Sequence, residues 1–138
     1  MKVKCVFNLG RFLPRDILAP FVGHDEDTEF DLLIDKEYIV YGMTLHRGYM
    51  WYYICDESSD SYPIMKPSPL FDVVDGRLSR CWIYVFMGGE NQSSSKTIIT
   101  YPEWANDPYG YYNKLAKGEP EAVETFERYK KLMDKEFE

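Results

Sequence analysis

The chain contains no apolar run near the roughly 20 residues that a bilayer-spanning helix requires, so it reads as a soluble protein. Its start, MKVKCVFNLG, carries Lys2 and Lys4, but the apolar run that follows is short, broken by Asn8, and lacks a small-residue cleavage site. No signal peptide is expected from this stretch. Cysteine is scarce. Cys5, Cys55 and Cys81 are odd in number and widely spaced, which fits neither a disulfide framework nor a CxxC zinc site. A reduced, cytoplasmic setting is the expectation. Only His24 and His46 supply imidazole, and there is no GxSxG elbow, phosphate-binding loop, dinucleotide fingerprint or internal repeat. Basic charge is also short. With 16 Lys and Arg against 23 Asp and Glu, the formal net charge of −7 opposes direct binding to nucleic acid or to an anionic membrane.

What remains is apolar and aromatic. At 138 residues with 45% hydrophobic and 17% aromatic content, the chain has enough ring and aliphatic surface to offset its ordering entropy in one domain spanning 1–138. Residues 1–101 read as mostly β after an irregular N-terminal part, and 102–138 as helical. The segment RFLPRDILAPFVG is broken by two prolines and predicts an irregular crossing with one helical turn around Arg15 to Leu18.

The richest signal is KEYIVYGMTLHRGYMWYYICDE, residues 36–57: two aromatic, branched runs separated by HRG, which predicts a β-hairpin. A turn centred on Arg47 and Gly48 sets Leu45 opposite Met50, Met43 opposite Tyr52, and Tyr41 opposite Ile54. One face is then Ile39, Tyr41, Met43, Leu45, Met50, Tyr52 and Ile54, the expected core face. The other, with Val40, Gly42, Thr44, Trp51, Tyr53 and Cys55, is also poor in charge and calls for a cover. In this register Gly42 faces Tyr53, whose ring can lie across the missing side chain.

Pro63, Pro67 and Pro69 forbid a central strand before Leu70 and then release LFDVV, which Asp75 and Gly76 end. RCWIYVFM and KTIITY are further strands, joined by the loop GGENQSSS at 88–95. Beyond Tyr101 the period changes to 3.6. Asp107-Pro108 and Gly118 bracket a helix over about 108–117. A second begins near Pro120, with Ala122, Val123, Phe126, Tyr129, Met133 and Phe137 in one stripe. The expected class is α+β: a small bent antiparallel sheet or an SH3-like barrel, followed by a C-terminal helical hairpin.

The acidic stretch HDEDTEFD, residues 24–31, holds five carboxylates in eight positions. As an EF-hand it fails, because Phe30 stands where the turn needs Gly and Lys36 where a bidentate Glu should be. His24 beside Asp25 is too small a ligand set for zinc, so no metal and no cofactor is expected. In the hairpin register His46 and Cys55 lie about 20 Å apart at roughly 3.3 Å per residue, too far for a catalytic dyad. Nothing holds two carboxylates at a chosen separation for glycoside chemistry, although a small hydrolase using surface-cleft carboxylates stays on the table. No catalytic residue is assigned.

An interaction surface fits better. From His24 to Glu37 there are seven acidic residues and one basic, whereas residues 1–23 hold four basic and one acidic. The segment DESSD at 56–60 adds a second acidic group. Asp25, Glu26, Asp27, Glu29 and Asp31, with Asp56, Glu57 and Asp60, are therefore the candidate partner-binding carboxylates, and Tyr49 and Tyr62 the candidate anchors. A basic protein partner is implied. The plain alternative is a solvated connector, and a structural or adaptor role in a phage or secretion assembly is the other alternative.

The segments EYIVYGM, YYICDE, PLFDVVDGRLSRCW and PEW, with DPYGYYNKL and the charged helix after it, resemble the immunity proteins of bacterial polymorphic-toxin and contact-dependent inhibition systems. The resemblance covers roughly 37–138 and consists of packing and turn signals. It implies a non-catalytic cytosolic inhibitor that blocks a cognate toxin domain, often a basic nuclease, by occlusion or charge mimicry. It transfers no functional residue.

Overall fold

The computed structural model describes residues 1–18, 25–88 and 96–138. His24 and most of the GGENQSSS loop lie outside the described residues. Among the described residues eight strands are formed: β1 Lys2–Cys5, β2 Glu37–Ile39, β3 Gly42–His46, β4 Tyr49–Ile54, β5 Ile64–Pro67, β6 Phe71–Asp75, β7 Ile83–Met87 and β8 Lys96–Thr100. Helices follow as α1 Pro102–Ala105, α2 Pro108–Ala116 and α3 Pro120–Glu136. The class is α+β as expected. The strands divide into two antiparallel sheets, a three-stranded one ordered β2-β1-β6 and a five-stranded one ordered β5-β4-β3-β8-β7.

The division falls inside the run read as one continuous strand. Val40 N–H donates to the Met1 carbonyl at 3.0 Å, while the next residue, Tyr41, donates to the Tyr53 carbonyl at 2.8 Å. Val40 packs into one core with Val3, Cys5, Tyr38, Ile54 and Leu70. Tyr41 enters a second with Ile98, Tyr101, Trp104, Phe126 and Met133. The chain thus changes sheet between two residues, and the run is apolar on both faces because each face feeds a different core.

The β3–β4 register is the expected one, including Met43 opposite Tyr52 and Gly42 opposite Tyr53. Arg47 and Gly48 take φ of 56° and 80°, the pair of positive values that a tight type I′ hairpin turn needs. The face assignment toward the hairpin tip is corrected. Leu45 is half-exposed, whereas Thr44, Trp51 and Tyr53 of the opposite face are buried. Tyr53, only 7% exposed, meets the Trp104 ring edge-on at 4.7 Å and Tyr112 at 5.6 Å, so this face is covered from within the chain. The atoms nearest the vacant position on Gly42 are those of Thr100, 3.0 Å from where a Cβ would stand. Thr100 Oγ1 donates to the Tyr41 carbonyl at 2.8 Å.

The prolines of 63–69 do keep that segment out of the sheet centre, but β5 still forms as an edge strand, where a missing N–H costs nothing. Both C-terminal helices begin on proline, and α2 ends at Gly118 with φ of 76°. Ala122, Phe126, Met133 and Phe137 of the expected α3 stripe are buried. The single turn α1 sets Trp104 between Tyr53, Tyr101 and Tyr112, and Tyr101 stacks on Tyr129 at 4.3 Å. Such ring pairs add roughly 0.5–1.5 kcal/mol each beyond the area they bury.

Candidate functional site

The acidic stretch is pinned along its backbone. It runs antiparallel to residues 8–11: Phe30 N–H donates to the Asn8 carbonyl at 2.9 Å, Gly10 N–H to Thr28 at 2.8 Å, and Arg11 N–H to Glu26 at 3.0 Å. A short 3-10 turn at Gly10–Phe12 presents these donors. Within the loop the Asp25 carboxylate accepts from Asp27 N–H at 2.9 Å and from the Thr28 hydroxyl at 3.2 Å, a local turn typical of aspartate. Gly10 is essential to the docking, since a Cβ there would lie 1.8 Å from the Asp25 carbonyl oxygen.

With the backbone satisfied, the side chains of Asp25, Glu26, Asp27, Glu29 and Asp31 are exposed. Arg11 Nη2 stands 4.0 Å from Asp27, with both groups in solvent, a pair worth about 0–1 kcal/mol. The loop is therefore a fixed, largely uncompensated row of negative charge.

The second acidic segment joins it. Glu57 N–H donates to the Asp31 carbonyl at 2.9 Å, which places 56–60 beside the end of the loop. Glu57 itself is held below the usual carboxylate range by hydrogen bonds from the Lys36 ammonium and the Tyr38 hydroxyl. Asp60 is exposed. Asp56 is a correction: its side chain is 1% exposed and pairs with Lys66 Nζ at 2.8 Å, while Ser58 N–H donates to it at 2.9 Å. Burial alone would raise its pKa, but the bonds from Lys66 and Ser58 outweigh that and lower it. Asp56 is an interior strut between β4 and β5 and not part of the surface.

The two anchor tyrosines are both engaged within the chain. The Tyr49 hydroxyl donates to Asp16 at 3.3 Å. Tyr62 is partly buried and meets Tyr112 at 6.2 Å in the second core. Its ring is committed to packing.

For catalysis the described residues offer little convergence. His46 at the hairpin tip pairs with Tyr49 and lies edge-on to Trp51 at 5.9 Å. Cys5 is buried with its thiol donating to the Phe7 carbonyl at 3.3 Å, and burial pushes the Cys55 thiol up to about 12. Both resist becoming thiolates. No group of three His, Cys, Asp or Glu side chains among the described residues is placed to hold a metal ion, and no helix among them is long and apolar enough to cross a membrane.

One feature had no signal in the local sequence. A cavity of about 180 Å³ opens between β4, β8, α1 and α2, walled by Tyr53, Trp104 and Tyr112 with Lys96 at one side. Its residues come from four separated segments, so no local pattern marked it. No family model, no curated protein and no solved structure matches this chain.

Proposed function

We propose that this chain is a non-catalytic, cytoplasmic binding protein, an immunity protein that neutralises a basic toxin domain through its acidic face. The observation that carries the reading is the rigid presentation of Asp25, Glu26, Asp27, Glu29 and Asp31. Five exposed carboxylates on a loop hydrogen-bonded to residues 8–11 lose little conformational entropy on meeting a cationic partner. Asp60 adds a further exposed carboxylate, while the charge of Glu57 is matched by Lys36. Such a field raises the encounter rate with a basic groove and competes with the polyanion a nuclease would otherwise hold.

The test is capture of partners from the organism's own lysate, stepwise elution with salt, and inhibition of the eluted toxin when the protein is added back. Charge reversal of Glu26, Asp27 and Glu29 together to Lys then weakens affinity at least about tenfold, while each change costs under about 0.5 kcal/mol of stability because none of the three carboxylates is buried. Undiminished affinity refutes the acidic-face mechanism.

A structural or adaptor role is the second reading, and strand β7 favours it. Its sequence IYVFM has no charge and it lies at the edge of the five-stranded sheet, with Tyr84 63% and Phe86 56% exposed. The opposite edge, β5, ends on Pro67, whose missing N–H blunts strand addition. Self-association that ignores salt and is abolished by Phe86→Lys is the signature of that role.

A further inference from the structure

The cavity beside Lys96 carries an inference independent of the acidic face. Four aromatic residues line it: Tyr53 from β4, Trp104 from α1, and Tyr109 and Tyr112 from α2, with Trp104 and Tyr112 stacked at 5.6 Å with a 19° interplanar angle. Lys96, the first residue of β8, reaches in from one side with its ammonium 5.0 Å from the Tyr109 ring centre. Among the described residues, no carboxylate lies at ion-pair distance from it. Burial pulls Lys96 below the ordinary lysine value, the expected result for a cation that has surrendered water without gaining an anion.

The polar groups around it point the same way. The Tyr53 hydroxyl makes no hydrogen bond among the described residues, and burial, with a smaller contribution from Tyr109, pushes it up to about 12. Outside the cavity, His46 at the hairpin tip is lowered by burial and by the nearby charges of Arg47 and Lys96. An aromatic cage for a cationic ligand is excluded by the lysine already present. Aromatic walls and a partly desolvated ammonium instead complement an anion on a flat apolar body.

We propose that this cavity binds a small aromatic carboxylate of one ring, its carboxylate on Lys96 and its ring against Trp104 and Tyr112. The volume of about 180 Å³ is below the roughly 300 Å³ at which drug-sized ligand sites begin, which limits the body to a single ring.

Benzoate is the probe, titrated into the full chain and followed by NMR, with benzamide and acetate as controls. Saturable shifts centred on Trp104, Tyr112 and Lys96 are expected, with a dissociation constant of about 1 mM or below. Benzamide keeps the ring without the charge and acetate the charge without the ring, and each should bind at least about tenfold more weakly. Lys96→Met, which removes the charge but keeps the stem, should weaken benzoate by a similar factor. Absence of saturation, equal binding of benzamide, or shifts centred elsewhere overturns the proposal. The two control ligands are compared on the unmodified protein, so the result stands even if the variant folds poorly.

Discussion

Gly10→Ala tests how the acidic loop is held. The added methyl carbon would stand 1.8 Å from the Asp25 carbonyl oxygen and 2.9 Å from its carbon, both backbone atoms that no side-chain rotation can move aside. Either the loop withdraws, breaking the Gly10–Thr28 and Arg11–Glu26 hydrogen bonds of 2.8 and 3.0 Å, or the 3-10 turn at Gly10–Phe12 distorts. Overpacking of this kind costs roughly 1–3 kcal/mol. Gly76→Ala is the matched control: its nearest neighbour would be a Val73 methyl at 3.7 Å, ordinary contact, so it should be neutral or gain up to about 1 kcal/mol from the stiffer unfolded chain. In urea, with a slope of about 1–3 kcal/mol/M, a 2 kcal/mol loss moves the midpoint down by about 1 M. Equal midpoints for the two variants would refute the close approach and, with it, the rigid presentation of the five carboxylates.

Lys66→Met leaves the Asp56 carboxylate buried without its cation and should cost about 3–5 kcal/mol. In the parent, the lowered pKa of Asp56 contributes stability that is present above its unfolded value near 3.9 and is lost as pH falls through the folded value. In Lys66→Met the lowering by Lys66 is lost while burial and the Ser58 bonds remain, so the folded pKa rises relative to the parent and the loss of stability on acidification should shrink; an unchanged pH dependence in urea melts would refute this account. The tyrosine pair under the helices gives a further asymmetry. Tyr111 donates to the Ala122 carbonyl at 3.0 Å, so across the 2.6 Å contact Tyr101 must be the donor. Tyr111→Phe strands the fully buried Tyr101 hydroxyl and should cost about 1–3 kcal/mol, whereas Tyr101→Phe leaves only an unfilled lone pair and should cost about 0.5–1.5 kcal/mol. Equal losses would contradict that donor order.

Elements with a local cause were legible in the sequence. The hairpin register followed from HRG and its flanking alternation, because a two-residue turn leaves one pairing open. The helices followed from Asp107-Pro108, Gly118, Pro120 and a 3.6-residue stripe. The exposed charge of 25–31 was equally plain, since five carboxylates within seven residues cannot be desolvated together without cations. Long-range placement decided everything else. Lys2–Cys5 gave no strand signal of its own and became the centre of a sheet because Glu37–Ile39 and Phe71–Asp75 flank it. Asp56 and Glu57 are neighbours of like charge in sequence, yet β5 brings Lys66 to Asp56 and buries it, while Glu57 stays at the surface beside Asp31. Val40 and Tyr41 point into different cores, which no alternation rule distinguishes from one strand covered on both faces. The Lys96 cavity, assembled from four segments, exists only once those cores have packed.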